Sequence, residues 1–106
     1  MPRWYRAGLV DDIARGSSVR LLSDAGRSVV VWHLDDGSVR ATDDECTHFF
    51  WSLHESGRLE GTEVTCLAHE ARFDVTTGAV VCPPARTPLA TFPVFVDCDR
   101  NVFVRI

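Results

Sequence analysis

The sequence predicts a single all-β domain, built from short antiparallel strands as a sandwich or small barrel. Three observations predict this fold: short apolar runs with alternating pattern, a turn signal after nearly every run, and one brief segment of helical character. The 106 residues suffice to bury a core without disulfides, so we expect one domain over residues 1–106. Apolar residues make up 45% and charged residues 25%, as in ordinary globular proteins.

The strands are predicted as hairpins, because apolar runs flank residues that favour tight turns. The segment "VDDIARG" has helical character for one turn at most. Four prolines exclude a long regular element between the last two hairpins: Pro83, Pro84, Pro88 and Pro93. The predicted turns, in chain order, lie at Gly26, Gly37, Gly78 and about residues 97–101.

Charge and hydropathy exclude several classes of protein. The net charge of −4 argues against a nucleic-acid partner. Residues 43–74 hold eight acids and two arginines, a net −6, and the remainder holds seven acids and nine arginines, a net +2. The longest apolar run, Val29 to Trp32, falls far short of the ~20 residues that span a bilayer, and the start of the chain lacks the apolar region of a secretory signal. We therefore expect a cytoplasmic protein without a membrane segment, whose cysteines bind metal, act in catalysis or stay reduced.

Two Cys-His pairs carry the chemistry: Cys46-x-His48 and, after a gap of 17 residues, Cys66-x-x-His69. A thiolate and an imidazole so close in sequence can converge on one site from a single loop, and two such loops supply four ligands. One zinc ion accepts this set, and so does a 2Fe–2S cluster held by two Cys and two His. Each pair has one Cys and one His in the same order, which favours the cluster, although zinc and buried unliganded side chains stay open. We expect both pairs to lie in loops between strands.

The remaining cysteines and histidines fit neither pair. Cys82 and Cys98 are predicted to be free thiols, at a strand end and a turn. The alternative is a zinc site of all four cysteines. His33 lies in a predicted strand and is expected to be structural or at the surface, whereas the role of His54, within the gap, stays open.

The stretches "CTH" and "CLAH" at these positions resemble the Rieske family pattern C-x-H…C-x-x-H. "RFDVTTG" and "PPARTPLATFPV" downstream, and "DIARGSSV" and "DDGSVRA" upstream, are similar to other family segments, so the resemblance covers nearly the whole chain. It is to the stand-alone ferredoxins of bacterial aromatic-ring-hydroxylating dioxygenase systems. The resemblance implies a Rieske (ISP-like) fold, with a cluster-binding subdomain at about residues 44–84 and a base domain formed by the remainder.

The resemblance also implies the ligands. Cys46 and Cys66 would bind the inner iron of a Rieske-type [2Fe–2S] cluster, and His48 and His69 the outer iron. The stretch at Pro83 and Pro84 would form a third loop that covers the cluster.

By the same resemblance the protein is an electron carrier, not an enzyme. It would take single electrons from an NAD(P)H-dependent flavoprotein reductase and pass them to a terminal oxygenase, through transient contacts and as a monomer. Two alternatives remain: the small Rieske-like subunit of a nitrite reductase, and a structural zinc-binding module. We hypothesise that partners dock on an apolar rim beside the cluster and that nearby acids steer them toward it. The alternative for the aromatic residues is that they are buried. The docking residues are Phe49, Phe50, Trp51, Glu55, Glu70 and Pro84.

Departures from the family pattern lead to further expectations. Trp51 and Ala68 stand where respiratory Rieske proteins carry a disulfide, and Ala71 and Phe73 stand where those proteins place hydroxyls near the cluster. Without hydrogen bonds to the cluster sulfurs, we expect a potential at the low end of the Rieske range, about −150 mV. Leu67 replaces the usual Pro. Glu70 replaces the usual Gly and is strained if that position needs a positive φ.

Overall fold

The computed structural model describes residues 2–47, 51–68, 70–83 and 85–106. Within these ranges, strands in three antiparallel sheets account for most of the regular structure. The predicted all-β fold class is confirmed. None of the helices in these ranges has the length and apolar character needed to cross a membrane. The strands are β1 (Trp4–Leu9), β2 (Ser18–Leu22), β3 (Ser28–His33), β4 (Val39–Asp43), β5 (Gly57–Glu60), β6 (Glu63–Cys66), β7 (Arg72–Asp74), β8 (Val80–Cys82), β9 (Thr91–Phe92), β10 (Val94–Val96) and β11 (Asn101–Arg105); a 3-10 helix covers Val10–Asp12, and helix α1 covers Leu53–Ser56.

The sheets run in the orders β1-β11-β10, β2-β3-β4-β9 and β5-β6-β7-β8. The predicted hairpins are present as the pairs β2–β3, β3–β4, β7–β8 and β10–β11, and the brief helical segment is a single 3-10 turn. Four pairings were not predicted, and two of them are β4–β9 and β6–β7. Strand β1 pairs with β11 from the other end of the chain, and β5 forms a hairpin with β6 between the two Cys-His pairs.

Strand β3 separates two apolar cores. Side chains alternate across a strand, so Val30 and Trp32 point to one side and Val29 and Val31 to the other. The first pair packs in a core that also contains both candidate ligand cysteines. The second pair packs in a core with the inward residues of β11. All four side chains are buried, so β3 serves as the common layer between the two cores.

Candidate metal centre

The first Cys-His pair begins just after β4, in a loop that is closed at its base. The Cys46 N–H donates to the Trp51 carbonyl at 2.9 Å, and the Leu53 N–H donates to the Asp44 carbonyl at 2.6 Å. An isolated antiparallel bridge between Glu45 and Ser52 joins the same two chain segments. These contacts hold Cys46 at the inner end of a closed loop. His48, Phe49 and Phe50 lie outside the described residues.

The second pair begins at the end of a strand. We predicted it in a loop, and that is wrong for Cys66, which is the last residue of β6. A tight turn follows, because the Cys66 N–H donates to the Ala71 carbonyl at 2.8 Å and the Glu70 N–H donates to the Cys66 carbonyl at 2.6 Å. The Leu67 N–H donates to the Ser56 carbonyl at 2.8 Å, which ties this turn to α1. His69 lies outside the described residues.

The two cysteines of the pairs share one environment. Cys46 and Cys66 are 2% and 0% exposed and belong to the same apolar core, and neither forms a disulfide. A core of this kind suits sulfur ligands on the inner side of a metal centre. In both segments, the sequence continues from the cysteine to a histidine within three residues. The thiol half of the donor set thus fits a 2Fe–2S cluster of mixed ligation.

The four-cysteine zinc alternative is not supported. Cys82 ends β8 and is half-buried, and Cys98 is exposed in the turn between β10 and β11, as predicted for free thiols. Across the described part of the chain, no group of three or more Cys, His, Asp or Glu side chains could hold a metal ion. Cys82 and Cys98 therefore do not join the two core cysteines in one site.

Two apolar side chains line the same core near the ligand cysteines. Ala71 and Phe73 are both 0% exposed and pack with Cys46 and Cys66. By the family resemblance, these are the positions at which respiratory Rieske proteins place hydroxyls and from which this chain departs. Neither side chain can therefore donate a hydrogen bond to the cluster sulfurs, which supports the expectation of a low reduction potential.

The surface near the two turns carries exposed apolar and acidic residues. Trp51 is 46% exposed and Leu67 is 60% exposed, so Trp51 is not packed inward as the burial alternative required. Glu55 is exposed but pairs with Arg20 at 3.3 Å, which reduces its free charge. The Glu70 side chain is exposed and makes no hydrogen bond or ion pair within the described ranges. The docking residue Pro84 lies outside them.

Glu70 adopts the left-handed conformation that its place in the turn suggested, with φ at 62°. Non-glycine residues are uncommon there, because Cβ crowds the following carbonyl at a cost of about 1–2 kcal/mol. The strain at Glu70 anticipated from the sequence is thus present.

Asp44 is a residue of the site that the sequence analysis missed. The sequence places it only among the eight acids of residues 43–74, but it is 2% exposed. Burial by itself would raise the pKa of Asp44. Hydrogen bonds from the His54 N–H and from the hydroxyls of Ser52 and Ser28, with the charge of Arg20, outweigh burial and hold that pKa below its usual value. No local sequence signal distinguishes Asp44 from its exposed neighbours, because its partners come from three separate segments.

The other two histidines are structural. His33 is 6% exposed, and its Nδ1 lies 2.6 Å from the Ile13 carbonyl oxygen, which makes Nδ1–H the donor. His54 Nδ1 lies 2.8 Å from the Ser18 hydroxyl and thereby links α1 to β2. Both side chains thus join segments of the fold.

Comparison with known proteins agrees with this geometry. The family described as the Rieske [2Fe-2S] domain matches residues 3–93. The biphenyl dioxygenase ferredoxin subunit of Pseudomonas sp. (strain KKS102) is 38% identical over 99 residues, which cover 93% of this chain and 88% of the relative.

Solved structures give the same result. A chain in the complex of reduced oxygenase and oxidized ferredoxin in carbazole 1,9a-dioxygenase superposes with a TM-score of 0.87 at 31% identity, over 94% of this chain and 99% of that chain. The putative NADH-dependent nitrite reductase small subunit from Mycobacterium tuberculosis has a TM-score of 0.88 over 100% of this chain and 96% of that chain, and at 23% identity it shows the fold alone. The relatives that share more of the sequence are electron-carrier components of dioxygenase systems. The chain therefore belongs to the Rieske [2Fe–2S] domain family, as its two Cys-His pairs predicted.

Proposed function

We propose that this chain is the ferredoxin component of a multicomponent aromatic-ring dioxygenase system. It carries single electrons from an NAD(P)H-dependent flavoprotein reductase to a terminal oxygenase in the cytoplasm, and it works as a monomer. One observation carries the proposal: two buried thiols, Cys46 and Cys66, share one apolar core, and each is followed within three residues of the sequence by a histidine. The similarity to a biphenyl dioxygenase ferredoxin over 93% of the chain supports the assignment to a dioxygenase system.

The cluster-binding subdomain of the proposal covers about residues 44–84. There, Cys46 and Cys66 would hold the inner iron, and His48 and His69 the outer iron. When bound, the cluster accepts and releases one electron at a time. The core around the thiols excludes water, and Ala71 and Phe73 offer no hydroxyl to the cluster sulfurs, which keeps the potential low. An oxidised cluster with two thiolates adds no net charge, so the protein stays near −4 when oxidised and near −5 when reduced.

For partner docking we propose the surface formed by Trp51, Leu67 and Glu70, together with Phe49, Phe50 and Pro84. Exposed apolar side chains beside an electron-transfer site suit a small, short-lived contact. The carboxylate of Glu70, which makes no hydrogen bond or ion pair within the described ranges, and the net −6 of residues 43–74 attract a basic partner surface. Glu55 contributes less than expected, because it lies 3.3 Å from Arg20, whose charge it shares with Asp44.

The experiment is anaerobic purification of the chain, followed by iron and acid-labile sulfide assays and EPR of the dithionite-reduced protein. We expect two irons and two sulfides per chain, and a lower average g value than an all-cysteine cluster gives. The protein is then added to the reductase and oxygenase of the biphenyl dioxygenase system, and product is measured with and without it. Ferredoxin-dependent product supports the proposal. Protein that holds no iron and sulfide after reconstitution contradicts it.

The nitrite reductase alternative shares the fold of this chain but has no further observation in its favour, because the small subunit from Mycobacterium tuberculosis is only 23% identical. A subunit of that kind would co-purify with a large partner at fixed stoichiometry. Affinity purification of this chain from its native cells separates the two functions. A carrier elutes alone, because its contacts are transient.

A further inference from the structure

We propose that Asp44 is a positioning residue for the first pair of cluster ligands. Its buried carboxylate fastens both ends of the loop that follows Cys46 and attaches that loop to the base of the fold. The inference rests on the proposed metal centre and extends it to a residue that binds no iron. It follows from the contacts of the carboxylate, from its burial and from its place in the chain.

The contacts come from both sides of the loop. Asp44 precedes Cys46, and the residues that follow the loop donate to its carboxylate. The Ser52 hydroxyl lies 2.9 Å from Oδ1 and 3.0 Å from Oδ2, and the His54 N–H donates to Oδ1 at 2.9 Å. The carboxylate therefore closes the loop through its side chain, in addition to the backbone hydrogen bonds at its base.

The same carboxylate reaches the neighbouring sheet. Arg20 Nε on β2 donates to Oδ2 at 3.1 Å, and the Ser28 hydroxyl on β3 donates to Oδ2 at 2.9 Å. Arg20 also donates to the Ser52 hydroxyl at 3.0 Å. Because these donors lie on strands outside the loop, the loop is held relative to the sheet and does not merely close on itself.

Because the carboxylate of Asp44 is charged and buried, its role cannot be only to fill space in the interior. The Asp44 side chain is 3% exposed, and a buried carboxylate destabilises a fold unless donors satisfy it. Here four donors serve the two oxygens, with the Ser52 hydroxyl shared between them, so the group is satisfied only when β2, β3 and the loop hold one arrangement. Fully satisfied buried networks of this kind specify a single local geometry. The residue that this geometry fixes next along the chain is Cys46, two positions on.

The test compares Asp44→Asn with the matched control Asp97→Asn. Asp97 also accepts several hydrogen bonds, from the N–H groups of Asp99 at 3.0 Å and Asn101 at 2.8 Å, but in the β10–β11 turn. Both variants remove one negative charge. We expect Asp44→Asn to lose iron to a chelator about ten-fold faster than the wild type and to shift the g values of the reduced protein. Asp97→Asn keeps the wild-type rate and spectrum.

Wild-type loss rate and g values in Asp44→Asn, even with a lowered Tm, overturn the inference, because Asp44 would then stabilise the fold without positioning the ligands. If Asp44→Asn takes up no cluster, Ser52→Ala is the second variant. It removes the hydroxyl shared by both oxygens and should lose iron several-fold faster, whereas Ser52→Thr restores the wild-type rate. A wild-type rate in Ser52→Ala also overturns the inference. A wild-type chain without iron would instead contradict the proposed function.

Discussion

Replacing Glu70 by glycine should make the protein more stable and a poorer electron carrier. Glu70 has φ at 62°, where a residue with a Cβ is disfavoured by about 1–2 kcal/mol. Glycine removes that strain but adds about 0.5–1 kcal/mol of chain entropy to the unfolded state. The net gain therefore lies between about 0 and 1.5 kcal/mol, and its centre, about 0.75 kcal/mol, corresponds to a rise in Tm of roughly 3–6 °C for a domain of this size.

The assay is thermal unfolding of the oxidised holoprotein, followed by circular dichroism, beside ferredoxin-dependent turnover by a terminal oxygenase. Glu70→Ala is the matched control, because it removes the carboxylate and keeps the Cβ. It should lose turnover as Glu70→Gly does, without the gain in Tm. Arg100→Gly, at the other described non-glycine residue with a positive φ, 67°, should gain Tm without losing turnover. A Tm of Glu70→Gly at or below that of Glu70→Ala would refute the strain argument, and unchanged turnover in both would refute the docking role.

Four further predictions follow from the site. Leu67→Ser should lower turnover with the oxygenase several-fold and leave the EPR spectrum unchanged, because Leu67 is exposed beside the site. Leu22 on β2 is equally exposed, and Leu22→Ser should change neither the turnover nor the spectrum. Equal losses of turnover in the two variants would count against the docking surface. Ala71→Ser should raise the midpoint potential by about 60 mV, the equivalent of one hydrogen bond to a charged group, in a redox titration that gives about −150 mV for the wild type; a clearly positive wild-type potential would contradict the reasoning. The Thr76 side chain and N–H donate to Asp74 and hold its pKa below the usual value. The contribution of Asp74 to the free energy of unfolding is therefore complete above about pH 4 and is lost as the pH falls through the lower folded pKa. The free energy of unfolding of Asp74→Asn should decline less over that acid range than that of the wild type, and parallel declines would exclude Asp74 as a cause. Turnover at limiting ferredoxin should fall as salt rises from 50 to about 500 mM, because screening weakens charge steering, and a flat response would remove the acids from the docking argument.

The hairpins could be predicted because their signals are local. Gly26 and Gly37, at the turns that flank β3, have φ at 85° and 90°, the left-handed conformation that glycine adopts at least cost. Apolar runs on either side then leave few other pairings. The pairing of β1 with β11 has no such signal, because Trp4 and its partner Arg105 lie at opposite ends of the chain.

The β5–β6 hairpin was missed for another reason. Its strands carry several charged side chains, such as Arg58, Glu60 and Glu63, and lack a clear apolar alternation. Its buried side is marked by Leu59 and Val64, which face each other, and by Cys66. The sequence therefore predicts no strand between the two Cys-His pairs, and it predicts a loop at Cys66, which in fact ends a strand.

The ligand cysteines could be predicted from spacing, because two residues in one short motif must lie near each other whatever the fold. Asp44 could not. Its role depends on Arg20 and Ser28, which only the folded sheet brings to it. A buried charge is recognised by its partners, and partners distant in sequence leave no pattern around the residue itself.

The position of β3 between two cores has a consequence for how the protein handles oxidative damage. Val31 supports the half built on β1 and β11, and Val30 supports the half that contains Cys46 and Cys66. If oxygen destroys the inorganic centre, only the second half loses a component of its interior. The core built on β1 and β11 would lose none of its side chains, so β3 would keep one packed face after the cluster is gone.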